Sequence, residues 1–451
     1  MMRWFVGVIA VASVAQPGRS TAGLAACVGD CDGGGAVSIN ELVTGVGIAQ
    51  GLQPIDACAA FDADGGGNVS INELVAAVSS ALNGCPYGPA TPEAVIRRYA
   101  ANLYANYSDA LLGTEQLRDA VDAFVAAPTA AALAAAQSAW LAARPAYLTT
   151  EVARFSDGPI DNPDTGVEGF VNAWPLDEAY IDYVVGMPDA GIINRPDLYP
   201  EITKEALLDA NEGQGETTIS TGWHAIEFLL WGQDLDPNGP GHRPYTDYLT
   251  DGTGTAANQE RRGTYLRVVT DLLVQQLTQV RDAWIPNQPG NYRAEFVAVD
   301  TDEALRRILT GMGTLSGGEL TGERLSVAYD TKDQENEHSC FSDNTHVDHR
   351  NDELGIENAF FGRYGTVTGP GIYDLVHAVN AELADATRDA ISTARAAILQ
   401  IPVPFDQAIL GPDSSPSRQA IAAAIAALNA QTDKIAQCAE ALGVPISTTS
   451  P

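Results

Sequence analysis

The chain is poor in positive charge. Its 451 residues carry 25 Lys and Arg against 58 Asp and Glu, a formal net charge of −33. That deficit excludes binding along nucleic-acid phosphates, and no basic stripe compensates for it. It also opposes docking on anionic lipid. Metal ions are the cations that suit such a chain best. Long apolar runs are missing too, because a spanning helix needs about 20 apolar residues and no segment reaches that. Trp4 to Ala15 is apolar over twelve residues and follows Arg3, the pattern of an export signal rather than a spanning helix. Residues 1–26 are therefore expected to be a signal peptide. The mature chain is expected in the periplasm or at the cell surface, with no transmembrane segment. Leu24-Ala25-Ala26-Cys27 also resembles a lipid-attachment site, but Arg19 separates it from the apolar core, so lipidation ranks second. Removing residues 1–26, which hold Arg3 and Arg19 and no acid, takes the charge from −33 to −35.

Cysteine is scarce, with six residues. Cys27, Cys31, Cys58 and Cys85 fall early, and Cys340 and Cys438 late. In an exported chain an even split suggests disulfides closed within each region, so a Cys340–Cys438 bond is expected. Pairing among the first four stays open. Several catalytic signatures are absent. No HExxH or HxxEH zinc motif occurs, since Ala225 follows His224 and Phe228 follows Glu227. Neither a Ser or Cys nucleophile motif nor a CxxCH haem site is present. Alternating Val/Ile runs with hairpin turns are also rare, and the pattern is that of an all-α protein.

Hydrophobic residues make up 45% of the chain, enough for real cores. Residues 27–85 stand apart, with seven acids and no Lys or Arg. Asp30 to Glu41 reads DCDGGGAVSINE, and Asp62 to Glu73 reads DADGGGNVSINE, 32 residues later. Each copy follows the twelve-residue EF-hand loop scheme. Asp30 and Asp32, or Asp62 and Asp64, take positions 1 and 3. Ala36 or Asn68 would offer a backbone carbonyl, Ser38 or Ser70 stands at position 9, and Glu41 or Glu73 closes the loop. Gly34 and Gly66 replace the usual side-chain ligand at position 5, so weak extracellular-type affinity of about 10⁻⁴–10⁻³ M is expected. A single such loop would often be an acidic turn that binds nothing; two matched copies favour calcium. The segment resembles the EF-hand and dockerin-type repeats of exported bacterial proteins, which implies a calcium-stabilised or partner-docking module.

Residues 86–92 form a Pro-rich linker. Thr91-Pro92 predicts a helix start, and helical periodicity then runs through 93–445. Helices are expected over Val95–Ala110, Glu115–Ala126, Ala130–Arg144, Gly222–Leu230, Tyr265–Ala283, Asp302–Gly311, Ile372–Leu399 and Arg418–Leu442. Long loops are expected at 156–174 and 330–370.

Three stretches carry chemistry. In Ser220–Gly232, His224 and Glu227 stand i and i+3 on one helix face. They can chelate a transition metal, or Glu227 can orient His224 or act as a base; a hydrogen-bonded core pair is the plain alternative. Gly222 permits a close backbone approach, and Ser220 or Thr221 is expected to cap the helix. In Asn172–Asp182, Pro175 is expected to open a helix on which Glu178 and Asp182 can present two carboxylates, or simply favour the helix dipole. In Gly322–His346, His338 can supply a further ligand.

GWHAIEFLLWG matches the G-x-H-x-x-E motif of the imelysin family of exported bacterial proteins, which includes the iron-regulated protein A group. AWLAARPAYLTTEVARF (139–155), NAWPLDEAYID (172–182) and GERLSVAYDTKDQENEHSCFSDNTH (322–346) also resemble that family. The resemblance implies two helical-bundle halves with the motif at their interface, and a role in uptake of iron or another metal. Gly222, His224 and Glu227 map onto the motif. Glu178 and His338 lie in the neighbouring stretches. The family is also catalogued as a metallopeptidase group, in which His224 and Glu227 would be catalytic. The expected partners are thus calcium in the N-terminal repeats, iron or zinc or a small metal complex in the helical domain, and a cell-envelope protein for the repeats.

Overall fold

The computed structural model describes residues 27–31, 37–83, 90–236 and 239–448. The expected signal segment, Asp32, Ala36 and Cys85 lie outside them. The described chain is helical apart from a two-stranded hairpin, Arg363–Tyr364 against Val367–Thr368, and isolated bridges. No helix in it is long and apolar enough to cross a membrane.

Residues 27–83 form two loop–helix units, ending in helices Ile39–Ala49 and Ile71–Asn83. Each helix starts at a serine of the repeat. Ser38 accepts from the Glu41 amide while the Glu41 carboxylate returns to the Ser38 amide, and Ser70 and Glu73 do the same. Such reciprocal caps satisfy two otherwise orphaned donors. A small core of Ile48, Cys58, Phe61, Val69 and Ala77 joins the units, with a Cys31–Cys58 disulfide beside it.

The helical region divides into two groups. The first holds Pro92–Ala126, Ala130–Leu148, Gly222–Trp231 and Gln259–Ala283. The second holds Thr301–Thr314, its π-helical continuation Leu315–Ser326, Thr345–Phe361, Ala381–Ile398 and Pro416–Ala441. The groups meet where Ala130–Leu148 packs on Thr345–Phe361 and Thr301–Thr314 on Pro92–Ala126.

Four expectations need correction. The two expected helices before residue 126 are one, Pro92–Ala126, capped by Thr91. Gly113 does not break it; a Cβ there would lie 3.1 Å from the Ala143 backbone, so the glycine lets two helices approach closely. The expected Ile372–Leu399 helix is interrupted at Asn380, whose side chain caps Ala381–Ile398. The expected 330–370 loop contains helix Thr345–Phe361, whose buried positions include Asp348, His349, Asp352 and Glu353. Burying polar residues on several faces erased its apolar stripe. Cys340 and Cys438 are buried free thiols, not a disulfide; Cys438 Sγ lies 3.2 Å from Thr387 Oγ1.

Candidate functional site

The motif helix Gly222–Trp231 is buried along its whole length. Gly222 begins it with φ +86°, and a Cβ there would lie 2.5 Å from the Val171 carbonyl oxygen. Left-handed backbone and close approach both demand glycine. Neither expected hydroxyl caps the helix: Thr221 donates to Phe170 O at 2.9 Å and Ser220 to Leu207 O at 2.7 Å. They tie the helix start to the chain around it.

His224 Nδ1 lies 3.1 Å from Glu227 Oε2. The other Glu227 oxygen accepts from the Ser342 amide at 3.0 Å and hydroxyl at 2.6 Å. Burial pushes the Glu227 carboxyl up to about 8 against the pull of Ser342. Burial, then His338 and Arg144, hold His224 well below the usual imidazole range. His224 Nε2 is buried with no hydrogen-bond partner. When Glu227 is ionised and accepts Nδ1–H, the neutral imidazole presents the Nε2 lone pair, the form a metal binds; while Glu227 keeps its proton, that proton faces Nδ1 instead.

His338 repeats the arrangement. Its Nδ1 lies 2.7 Å from Asp348 Oδ2, which also accepts from the Ser339 hydroxyl at 2.6 Å and Arg144 Nη2 at 3.0 Å. Burial opposes the Asp348 charge, but Arg144 and the His338 and Ser339 bonds outweigh it and hold the carboxyl far below its usual range. Burial, then Arg324, lowers His338 to about 4. Arg144 is itself fully buried among Trp140, Tyr147 and Trp223 and donates to Asn172 Oδ1 at 2.7 Å. The two imidazoles pack edge to face, ring centroids 4.7 Å apart at 71°. Trp174 lies over both, 4.8 Å from His224 and 6.5 Å from His338.

A cavity of about 470 Å³ opens beside His338, Asn172 and Trp174. Its wall carries Glu168, Glu212, Glu216, Glu319 and Glu323 against Arg154 and Arg324. Arg154 pairs with Glu151, Glu168 and Glu319, and Arg324 with Glu151, Glu319 and Asp352. Among the described residues no ion pair involves Glu212, Glu216 or Glu323, so the mouth is net negative and draws cations. The π-helical turn places Glu319 and Arg324 on this wall, and π segments frequently occur at functional sites.

The structure brings His224, Glu227 and His338 together. It does not bring Glu178 to them. Glu178 bonds Gln233 Nε2 at 2.7 Å, with burial and then Glu335 raising it to about 7. Asp182 is not its partner on a helix face: the helix is only Glu178–Ile181, capped by Asp177, with Pro175 outside it. Asp182 is taken by Arg243 at 2.7 Å and Arg262 at 2.7 and 2.9 Å. Sequence reasoning missed Arg144, Asn172, Ser342 and Asp348. The first three lie inside the family-like stretches quoted above, and Asp348 two residues beyond the third.

In the N-terminal repeats, Asp62, Asp64 and Glu73 bring carboxylate oxygens within 4.8 Å of one another. They are the one such group of three or more His, Cys, Asp or Glu among the described residues. Asp62 Oδ1 is buried without a hydrogen-bond partner. Glu41 and Glu73 serve as caps, donors to Glu73 including the Ala63 amide at 2.8 Å and to Glu41 the Cys31 amide at 2.7 Å.

Comparison with known proteins adds the family. The Imelysin (Peptidase M75) family model matches residues 103–435. Iron-regulated protein A of Synechococcus elongatus is 25% identical over 332 residues, covering 72% of this chain and 80% of that protein. A crystal structure from Parabacteroides distasonis, assigned as an iron-regulated protein A precursor, superposes with a TM-score of 0.59 at 17% identity, over 78% of this chain and 96% of that one. An imelysin-like protein from Psychrobacter arcticus gives 0.56 at 15% identity, over 79% and 96%. With the family model spanning most of its length, the chain belongs to the imelysin family.

Proposed function

We propose that this protein is an exported metal-binding protein that takes iron, or a comparable divalent transition metal, at His224 and His338. The observation that carries this is the pair of imidazoles packed edge to face, each backed at Nδ1 by a carboxyl group, with His224 Nε2 buried and unpartnered. Metal ligands must be unprotonated, and burial favours neutral imidazoles at both positions. Glu227 and Asp348 orient the rings and raise their basicity, as carboxylates behind metal-binding histidines do. Glu227 takes this orienting role, since both its oxygens are engaged. Two imidazoles leave coordination positions open, which suits a metal arriving with ligands of its own through the acidic cavity. The name of the Synechococcus relative supports an iron-linked role.

Cleavage of peptides is less well supported. A catalytic zinc needs an open position in a cleft that admits the substrate. Here His224 is fully buried beneath Trp174, and the adjoining cavity of about 470 Å³ is of small-ligand size. Elemental analysis and iron and zinc titration of the whole chain, beside His224→Ala/His338→Ala, test the proposal. About one transition-metal equivalent is expected in the wild type and none in the variant. Equal loading of both would overturn it.

The N-terminal repeats are read as a calcium module, with Asp30, Asp32, Ala36, Ser38 and Glu41 in one loop and Asp62, Asp64, Asn68, Ser70 and Glu73 in the other. A docking role for it rests on a specific feature. Ile39, Val43 and Val46 on one helix, and Ile71, Val75 and Val78 at the same repeat positions on the other, are all exposed. Large apolar side chains left outside at helical spacing suit a protein partner in the cell envelope. Calcium-dependent capture of such a partner, lost in Val43→Asp/Val75→Asp, is the expected result; capture unaffected by both calcium and the variant would contradict it.

A further inference from the structure

The two imidazoles of the proposed site are not equally free. His224 Nε2 is buried with no hydrogen-bond partner. His338 Nε2 has one, because Asn172 Nδ2 lies 3.5 Å from it. Asn172 is 3% exposed and stands on the wall of the same cavity as His338. The neighbours of this contact fix its direction. Arg144 Nη1 donates to Asn172 Oδ1 at 2.7 Å, so the carbonyl end of the amide is taken and the NH2 end faces the ring. A guanidinium has no acceptor, and a reversed amide would set donors against donors.

The ring is fixed from its other side. Asp348 Oδ2 lies 2.7 Å from His338 Nδ1 and also accepts from Ser339 and Arg144. A carboxylate there keeps the imidazole proton on Nδ1, which leaves Nε2 as the acceptor. Asn172 therefore donates to the lone pair that a metal on His338 needs. The backbone that carries Asn172 is held in place. Its amide donates to Glu168 O at 2.9 Å and closes the short helix Glu168–Val171. The residues before it lie against the start of the motif helix, where Thr221 donates to Phe170 O at 2.9 Å and Gly222 leaves room for the Val171 carbonyl. The side chain thus yields by turning about its own bonds. Any turn that frees His338 Nε2 also loosens the Arg144 bond, since one planar amide carries both.

We propose that Asn172 is a latch on His338: in the metal-free chain its amide covers the His338 lone pair, and a metal held first on His224 reaches the second imidazole only by displacing that amide. This rests on the reading of His224 and His338 as metal ligands. The order follows because His224 alone offers a bare lone pair. Asn172 is then a positioning residue whose bonds a bound metal must break, so the site binds less tightly than two free imidazoles would and releases its metal more readily.

Zinc affinity of the whole chain, read by competition with a chromophoric chelator, tests this in a double-mutant cycle. Asn172→Ala is expected to tighten zinc binding about threefold to tenfold, the worth of one net hydrogen bond. His338→Ala is expected to weaken it, and Asn172→Ala in that background to change nothing. A group that only orients the ring or supports the fold would weaken zinc binding when removed. Unchanged or weaker binding in Asn172→Ala, with stability to urea retained, therefore overturns the latch, as does equal tightening in the His338→Ala background. If His338→Ala binds zinc like the wild type, His338 is not a ligand and the latch falls with that reading; if His338→Ala weakens zinc and Asn172→Ala does not tighten it, the latch alone falls. Should Asn172→Ala fail to fold, crystals of the unaltered chain with and without zinc give the answer. With zinc on His224, Asn172 Nδ2 is expected to have left His338 Nε2, and an amide still in place beside the bound zinc overturns the proposal.

Discussion

Asp348 stands behind His338 rather than against a metal, yet it should control metal affinity. One of its oxygens receives His338 Nδ1 at 2.7 Å, Ser339 Oγ at 2.6 Å and Arg144 Nη2 at 3.0 Å. Asp348→Asn keeps the shape and removes the charge. Two consequences follow. His338 loses the carboxylate that fixes its tautomer and raises its basicity, which typically lowers metal affinity about 10–100-fold. Arg144, fully buried, loses its one carboxylate and keeps Asn172, the His338 ring at 3.5 Å and three aromatic rings as neighbours. Breaking a buried pair from one side costs about 3–5 kcal/mol. Zinc affinity by competition with a chromophoric chelator, beside urea unfolding, reads both effects. Glu353→Gln is the control. Glu353 lies on the same helix, is equally buried, accepts from Gln431 Nε2 at 2.9 Å, and is raised by burial to about 8. It therefore carries a proton at neutral pH, which an amide imitates, and zinc affinity should not change. Wild-type zinc affinity in Asp348→Asn, or an equal loss in Glu353→Gln, would refute the reasoning.

Further predictions concern protons, backbone and thiols. Glu227, at about 8 in the folded chain against an ordinary 4.5, holds a proton that a metal on His224 would expel. Metal affinity should then rise by up to about tenfold per pH unit toward pH 8, with proton release visible by calorimetry in buffers of different ionisation enthalpy. Glu227 and Glu353 near 8, with Glu178 and Asp234 near 7, bind protons that the unfolded chain has already released. Their contribution to stability is present at low pH and lost as pH rises through 7 to 8. His338 and His349, lowered to about 4 and about 3 from 6.5, act oppositely: their contribution is present above 6.5 and lost as pH falls through their folded values. The metal-free chain should melt highest near about pH 5–6 and lower at pH 8; a melting temperature that climbs from pH 6 to 8 in chelator would contradict this. Gly222→Ala should cost about 1–3 kcal/mol through strained backbone and collision with Val171, read by urea denaturation. Cys340 and Cys438 should resist alkylation in the native chain and react after denaturation without reductant.

Much of the helical framework was legible because periodic apolar spacing survives wherever a helix has one wet face. Thr345–Phe361 was not legible, since it packs at the junction of the two halves and buries Asp348, Asp352 and Glu353 among arginines. Its polarity imitates a loop. His224 and Glu227 were visible through their i, i+3 spacing, and their mutual contact is local. Asp348 backs His338 from ten residues away and Arg144 from 204, and no local pattern announces such a pair. Glu178 and Asp182 illustrate the reverse failure. Their i, i+4 spacing suggested a shared face, but the helix ends between them and two arginines claim Asp182.

The central claim is that His224 and His338 hold a transition metal between two helical halves. Crystals of the full chain soaked in zinc, with anomalous difference maps at the zinc edge, test it most directly. A peak bonded to His224 Nε2 at about 2.0–2.1 Å is expected, with His338 beside it, and no such peak in His224→Ala. A zinc-loaded crystal with its anomalous density elsewhere and none at His224 would contradict it.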